Sequence, residues 1–395
     1  MTKTHTLLRG AEIYSPEPIG ERDVLICGEK VLTMEEDLGR FSSLEDVETI
    51  DLKGTRLVPG FIDNHVHVLG GGGGGGPFTR GPEIFLSDLA ICGITTVVGI
   101  LGMDGLSRNL SSLLAKVRAL TAEGLTAYMW SGAYQYPQPT LCGGAQWDLL
   151  YIPEVIGTGE IAVADERGTH PTAHEVARFT GETAYGARLA AKGGAVCIHM
   201  GNRREGFEPL LEACERWGVQ IERFLPTHLN RTPELLKRSI DFALQGGYMD
   251  FTTAFTVEGG ISTSISASES AVRSREAGVP LDRIVFSTDG NGVHSFFDDE
   301  TMDGPRTLIW PVSSLWEEAR RLATYFNWPL EEAIAPITMN PARALGIKKG
   351  SIAPGRDADL VALDADLRVD SVFAKGRSLV RGGEPVARGW FEKEM

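Results

Sequence analysis

Cysteine is scarce in this chain and never paired in sequence. Five cysteines, Cys27, Cys92, Cys142, Cys197 and Cys214, are scattered over 395 residues. With no Cys-x-x-Cys spacing, neither a redox motif nor a zinc knuckle is indicated. Long hydrophobic runs are missing too. No apolar stretch approaches the ~18 residues of a membrane-crossing helix, and Met1 to Gly10 lacks the apolar centre of a signal peptide. A cytoplasmic protein with reduced thiols and no membrane partner is therefore expected. Positive charge is in deficit: 38 Lys and Arg against 53 Asp and Glu give a formal charge of −15. That balance speaks against nucleic acid, whose binding needs clustered Lys and Arg. It leaves room for a small anionic substrate steered by local charge in a cleft.

What is present fits an ordinary globular enzyme. The 42% hydrophobic and 23% charged shares are unremarkable for a folded soluble chain, and a core of this size needs no disulfide or structural metal. The first 58 residues read as short strands cut by Gly, Pro or charge, and the C-terminal end reads alike. Both ends are expected to meet in one small β-domain, residues 1–58 with 345–395. Between them, residues 59–344 alternate strand and helix, the pattern of a parallel α/β sheet. Gly93, Gly124 and Gly194 stand where helices end and strands begin, and Gly218, Gly247 and Gly278 sit comparably, as left-handed helix-closing residues would. Counting from Phe61–Val68 to Ile284–Thr288 gives eight strands and predicts a (β/α)₈ barrel of the TIM type.

The chemistry gathers at the expected strand ends. His65 and His67 stand two apart at the end of the first strand, a spacing that turns both toward one side and suits a cation such as Zn²⁺. Glu160 lies on the fourth strand, before Asp165-Glu166-Arg167. His199 ends the fifth, His228 the sixth and Asp289 the eighth. In such a barrel these ends form the active-site mouth. The run Gly70 to Gly76 is either a flexible loop or a place where backbone N–H groups approach a ligand. His170 and His174, four apart, fit a third metal site or a solvent-facing helix start. His294 is left without a role.

These stretches resemble the amidohydrolase superfamily and, within it, the isoaspartyl dipeptidases, nearly end to end. The resemblance is carried by PGFIDNHVHVLGGGG (59–73), VVGILG (97–102), SGAY (131–134), IHMG (198–201), LPTHLNR (225–231), STDGNG (287–292), SFFDDE (295–300) and GSIAPGRDADLVALD (350–364). It implies two divalent cations, zinc by their donors, that activate water to cut an amide bond. His65 and His67 would bind one and His199 and His228 the other. Asp289 would bind the first cation and act as general base, then general acid. Tyr134 would polarise the scissile carbonyl, and Arg167 and Arg231 would hold the carboxylate of the leaving amino acid, for which guanidinium forks are suited. The expected partner is a small dipeptide or N-acyl amino acid, and the expected assembly a homo-oligomer.

The chain departs from that family twice. A carboxylated lysine bridges the metals in isoaspartyl dipeptidases, and its place falls on Glu160, itself a carboxylate. The glycine-loop glutamate that receives the substrate's ammonium matches Gly74, while a threonine and a serine near its α-carboxylate match Met103 and Val293. With Gly72 these line the expected acyl pocket, which should therefore favour a less polar acyl group. A cyclic-amide hydrolase of the hydantoinase or dihydroorotase kind is an alternative. A deaminase would commonly carry a glutamate three residues past the fifth-strand histidine, where Asn202-Arg203 stand. A metal-free scaffold is the non-enzymatic alternative, against which all six filled ligand positions speak.

Overall fold

The structure, a computed structural model, describes residues 4–257, 259–297 and 305–392; of the SFFDDE stretch, Asp298, Asp299 and Glu300 lie outside the described residues. The chain opens with strands β1 (His5–Tyr14), β2 (Pro18–Cys27), β3 (Lys30–Glu35), β4 (Val47–Asp51) and β5 (Arg56–Pro59). The parallel strands follow: β6 (Phe61–Val66), β7 (Ile94–Gly99), β8 (Thr126–Ser131), β9 (Val155–Val163), β10 (Ala195–Met200), β11 (Phe224–Thr227), β12 (Met249–Thr252) and β13 (Ile284–Ser287). A hairpin, β14 (Val293–Phe297) and β15 (Pro305–Ile309), precedes the closing strands β16 (Leu360–Leu363), β17 (Val369–Ala374), β18 (Arg377–Arg381) and β19 (Glu384–Pro385).

The two ends of the chain do share a sheet. Its nine strands run β19-β18-β17-β16-β5-β1-β2-β3, with β4 alongside β1. The join is antiparallel: Leu360 faces Pro59 and Leu363 faces Arg56. Alternate residues point to one face of a strand, so Leu8, Ile13, Val24 and Ile26 from one end meet Leu360, Ala362 and Phe373 from the other in one apolar cluster.

The eight middle strands form a six-stranded parallel sheet, β11-β10-β9-β8-β7-β6, and a parallel pair, β12-β13. Both gaps between these pieces are stitched. On one side the Asn230 carboxamide accepts from Thr252 N at 2.9 Å and donates to Thr252 O at 3.0 Å, standing in for a strand partner. On the other, Val66 bridges Gly290 in parallel and His67 N donates to Gly290 O at 2.9 Å. This arrangement is consistent with the expected barrel. Side chains such as Ile62, Val98, Trp130, Cys197, Leu225 and Val285 pack in one buried cluster, while a larger one joins strands to helices.

The glycine punctuation holds in part. Gly124 and Gly218 cap the helices Leu110–Glu123 and Glu208–Trp217 with positive φ. The helix Ala173–Ala190 is instead closed by Ala191 in the left-handed region, three residues before Gly194, and Gln245 caps Pro233–Leu244 ahead of Gly246 and Gly247. Composition near a helix end thus marks the break without fixing which residue takes the strained conformation. His170 lies outside the helix, which begins at Ala173 after the Thr172 cap, so its spacing from His174 is not helical. Both are exposed, and His174 rests on Trp217 with ring centroids 5.4 Å apart.

Lys349 fastens the C-terminal segment to the parallel sheet. Its ammonium is buried, 2.8 Å from Thr126 Oγ1 on β8 and 2.7 Å from Asp357 Oδ2, and it also pairs with Asp359. Burial pushes the Asp359 carboxyl up while Lys349 draws it down. Removing one partner of a buried ion pair strands the other. Lys349→Met should cost about 3 kcal/mol in urea unfolding at neutral pH. Its deficit relative to the unmodified protein should shrink as pH falls, because the stranded carboxylates then take up protons more readily folded than unfolded.

Candidate active site

The expected ligand and pocket residues are brought together, though not always by the expected route, whereas His170 and His174 belong neither to the donor groups nor to the cavity wall. Strand β6 stops at Val66, and its pairing with β7 is irregular between Asp63 and Val66. His67 therefore lies just past the strand, and simple alternation does not explain its direction. What aligns the pair is Asp289: its Oδ1 lies 2.9 Å from His67 Nε2 and 3.4 Å from His65 Nε2. The Asp63 carboxylate sets the base of this turn, accepting from His65 N, Thr288 N and Thr288 Oγ1 at 3.2, 3.2 and 2.5 Å. Burial pushes the Asp63 carboxyl up to about 7.

Glu160, fully buried on β9, is the centre of the cluster. Its Oε1 lies 2.8 Å from His199 Nδ1 and 3.0 Å from His228 Nε2, and its Oε2 lies 3.5 Å from His65 Nε2. His228 is held from behind by Thr252 Oγ1 at 2.8 Å from Nδ1. Ala164, His228, Asp289 and Asn291 follow their strands with φ of 56, 66, 55 and 57°. Such left-handed non-glycine residues are disfavoured by roughly 1–2 kcal/mol each and persist where surrounding structure enforces them. Here they turn the strand ends inward.

Whether these side chains suit divalent cations can be judged from their unmet valences. Among the described residues, His65 Nδ1 and Nε2, His67 Nδ1 and Glu160 Oε2 are buried with no hydrogen-bond partner. Orphaned donors and acceptors of this kind are costly unless something binds them. Among the described residues, donor atoms close enough to share an ion form two groups, His65–His67–Asp289 and His65–Glu160–His228. His65 is thus common to both, and His199 stands beside the second rather than within it. Burial and the neighbouring Asp289 charge drive the Glu160 carboxyl well up. Burial likewise lowers His199 to about 3 and holds His228 well below the usual imidazole range, leaving both neutral and able to donate a lone pair. Buried nitrogen and oxygen donors of this type fit a borderline cation.

Beside the cluster opens a cavity of about 430 Å³, whose lining includes the polar residues His67, Tyr134, Arg167, His199, Arg231 and Asp289 together with Gly72, Gly74, Leu101, Met103, Val293, His294 and Trp310. Tyr134 Oη lies 2.6 Å from His199 Nδ1. Burial and the Glu160 charge hold its phenol well above the ordinary value, so it is a hydrogen-bond donor at neutral pH. Arg167 lies over the Tyr134 ring at 5.5 Å and Arg231 over the Phe255 ring at 5.3 Å.

The glycine run is a packed loop rather than a loose one. At Gly72, φ is +84° and a Cβ would stand 2.3 Å from Thr79 O, so no other residue fits without rebuilding the loop. The buried Arg108 guanidinium donates to Gly71 O at 2.9 Å and Gly81 O at 3.3 Å and pairs with Asp104 at 3.0 Å. The Met103 methyl lies 3.0 Å from the place of a Cβ on Gly74, and Val293 sits against Gly72 and Gly81. His294 stacks on Trp310, centroids 5.8 Å apart and planes 11° apart. Sequence reasoning missed Trp310, Thr252 and Arg108, which carry no motif of their own. It quoted Asp165 without a role, although two residues from Arg167 is the reach of a local ion pair.

The comparisons with known proteins agree with this geometry. The family model described as "Amidohydrolase family" matches residues 260–379. A solved β-aspartyl dipeptidase from Fervidobacterium islandicum AW-1, in complex with a β-Asp-Leu dipeptide, is 35% identical, covers 97% of this chain and 98% of its own, and superposes with a TM-score of 0.87. An imidazolonepropionase from Acidiphilium cryptum is 27% identical over 84% of either chain. A D-hydantoinase from a Thermus species shares the fold at 16% identity, with a TM-score of 0.70 over 98% of this chain and 97% of its own.

Proposed function

Because the chain belongs to the amidohydrolase family, we propose that it is a hydrolase of two cations that cleaves the amide bond of a dipeptide or N-acyl amino acid. The single observation that carries this reading is the juxtaposition of the Glu160-centred cluster with Arg167 and Arg231 around one cavity. The domain division follows from it: residues 59–344 as a (β/α)₈ catalytic barrel, residues 1–58 and 345–395 as the flanking β-domain.

His65, His67 and Asp289 would hold one cation and His199 and His228 the other, with Glu160 shared between them. Bound there, divalent cations supply Lewis acidity, which acidifies water and polarises a carbonyl. Asp289 is the proton carrier. Burial alone would raise its carboxyl, but His65 and His67 outweigh it and hold the group well below the ordinary range, so it is ionised and ready to accept. It takes a proton from the attacking water as the new C–O bond forms, then delivers it to the leaving nitrogen as the C–N bond breaks. Tyr134 donates to the carbonyl oxygen as charge develops there. Arg167 and Arg231 grip the free carboxylate of the departing amino acid, where two guanidinium forks fix register as well as charge.

The apolar part of the wall favours an uncharged acyl group. Met103, Leu101 and Val293 line the cavity, and the lining carboxylate Asp104 is occupied by Ser107 and Arg108. One observation favours a second reading: the Fervidobacterium relative is solved with a β-aspartyl dipeptide.

Asp289→Asn should keep its fold by circular dichroism and lose at least ~10²-fold in kcat, since donor and acceptor go together; near-normal turnover would remove Asp289 from the proton path. The acyl reading is tested by kcat/KM for β-aspartyl-leucine against acetyl-, alanyl- and leucyl-leucine. The uncharged acyl compounds should lead by tenfold or more, because each unmade charge-assisted bond costs roughly 1.5–3 kcal/mol. If β-aspartyl-leucine is best, the enzyme is a β-aspartyl dipeptidase and the wall has been misread.

A further inference from the structure

Asp165 follows β9 and is 6% exposed, yet it is absent from the cavity wall that its neighbours Glu166 and Arg167 form. Its carboxylate is fully engaged by three other side chains. Arg167 Nε donates to Oδ1 at 2.9 Å and Arg167 Nη2 to Oδ2 at 2.8 Å, a bidentate pair, while the Arg167 backbone N donates to Oδ1 at 2.9 Å. The same Oδ2 lies 3.1 Å from His199 Nε2 and 3.6 Å from Arg231 Nη1, and Arg167 Nη2 and Arg231 Nη2 stand 2.9 and 3.4 Å from that same histidine nitrogen. One oxygen atom thus faces both arginines and the histidine whose other nitrogen points at Glu160.

The backbone is built to keep Asp165 there. Ala164 takes a left-handed φ of 56° to turn the chain. Gly201, two residues past His199, lets that turn come in: a Cβ on it would stand 2.1 Å from Ala164 O and 2.6 Å from Asp165 Cα. Gly201 N donates to Val163 O at 2.9 Å and Arg203 N to Ala164 O at 3.0 Å, which fastens the two strand ends together.

We infer that Asp165 is a positioning residue that joins the two halves of the site, orienting His199 toward the cation and holding Arg167 and Arg231 as a preformed receptor for the substrate's carboxylate. The inference rests on the reading of those arginines given above. An imidazole that gives its Nδ1 lone pair to a cation carries its proton on Nε2; of the groups facing that nitrogen, Asp165 Oδ2 at 3.1 Å can accept it, whereas the guanidinium nitrogen of Arg167 at 2.9 Å can only donate and must then turn wholly to the carboxylate. Carboxylates behind metal-bound histidines fix ring orientation and raise ligand basicity. Arg167 is 42% exposed in its side chain. Without the bidentate pair, so long a side chain would have to be ordered anew by each arriving substrate. With it, the grip precedes the ligand.

The test is Asp165→Asn in the full-length protein, which keeps size and polarity and removes the charge. Zinc affinity is read by competition with a chromophoric chelator and should weaken 10–100-fold. At saturating zinc, KM for acetyl-leucine should rise at least ~10-fold with kcat little changed, whereas KM for acetyl-leucinamide, which offers the arginines no carboxylate, should stay within about twofold. A variant that moves only one of the two readouts, zinc affinity or the carboxylate-dependent KM, overturns the coupling. So does one that moves neither. If Asp165→Asn does not fold, Asp165→Glu, which displaces the charge by one methylene, is judged by the same two readouts. Should the unmodified enzyme turn over neither compound, the acyl amino acid reading has failed instead, and unchanged zinc affinity in the variant alone overturns the role of Asp165.

Discussion

Glu160 is a carboxylate with almost no water, set among imidazoles and close to a second carboxylate, Asp289. Desolvating one anion is expensive, and placing another beside it makes ionisation harder still. The surrounding histidines offer little relief, because burial keeps His199 and His228 neutral. Such a cluster would be satisfied by a cation that takes imidazole lone pairs and carboxylate oxygens together. Most of the sheet's far end serves to hold these groups within reach of one another.

Holding them is a matter of supports one layer out. Thr252 fixes His228, Asp63 fastens the His65 turn to Thr288, and Asp165 stands behind His199. Asn230 does for the backbone what these do for side chains, closing the gap between β11 and β12 with its carboxamide. The strained residues Ala164, His228, Asp289 and Asn291 are tolerated because this network leaves them no alternative. A site placed on rigid strand ends in this way keeps its geometry before a ligand arrives.

Much of this was legible in the residues themselves. The alternation of strand and helix, the paired strand-rich ends and the ligand residues at successive strand ends all follow from local pattern, and the folded chain gathers them at one mouth. What pattern could not supply is partnership between distant positions. Nothing in the sequence links Arg108 to the carbonyls of the glycine run, or Trp310 to His294, since these contacts exist only once the hairpin and loops have packed. Helix closure at Ala191 was hidden for a different reason: a nearby Gly194 gave the stronger local signal, while the helix closes three residues earlier with Ala191 in the left-handed region. His170 and His174 show the converse, a suggestive spacing emptied of meaning by a helix that begins between them.

In the proposed chemistry Glu160 would be shared by two cations. Metal content per chain, determined by elemental analysis after reconstitution of apo-protein with zinc in bicarbonate-free buffer, addresses this directly. Two zinc ions per unmodified chain and one or fewer per Glu160→Ala chain are expected, since without the anion between them two cations repel each other. A single zinc in the unmodified chain, or two in Glu160→Ala, would contradict it.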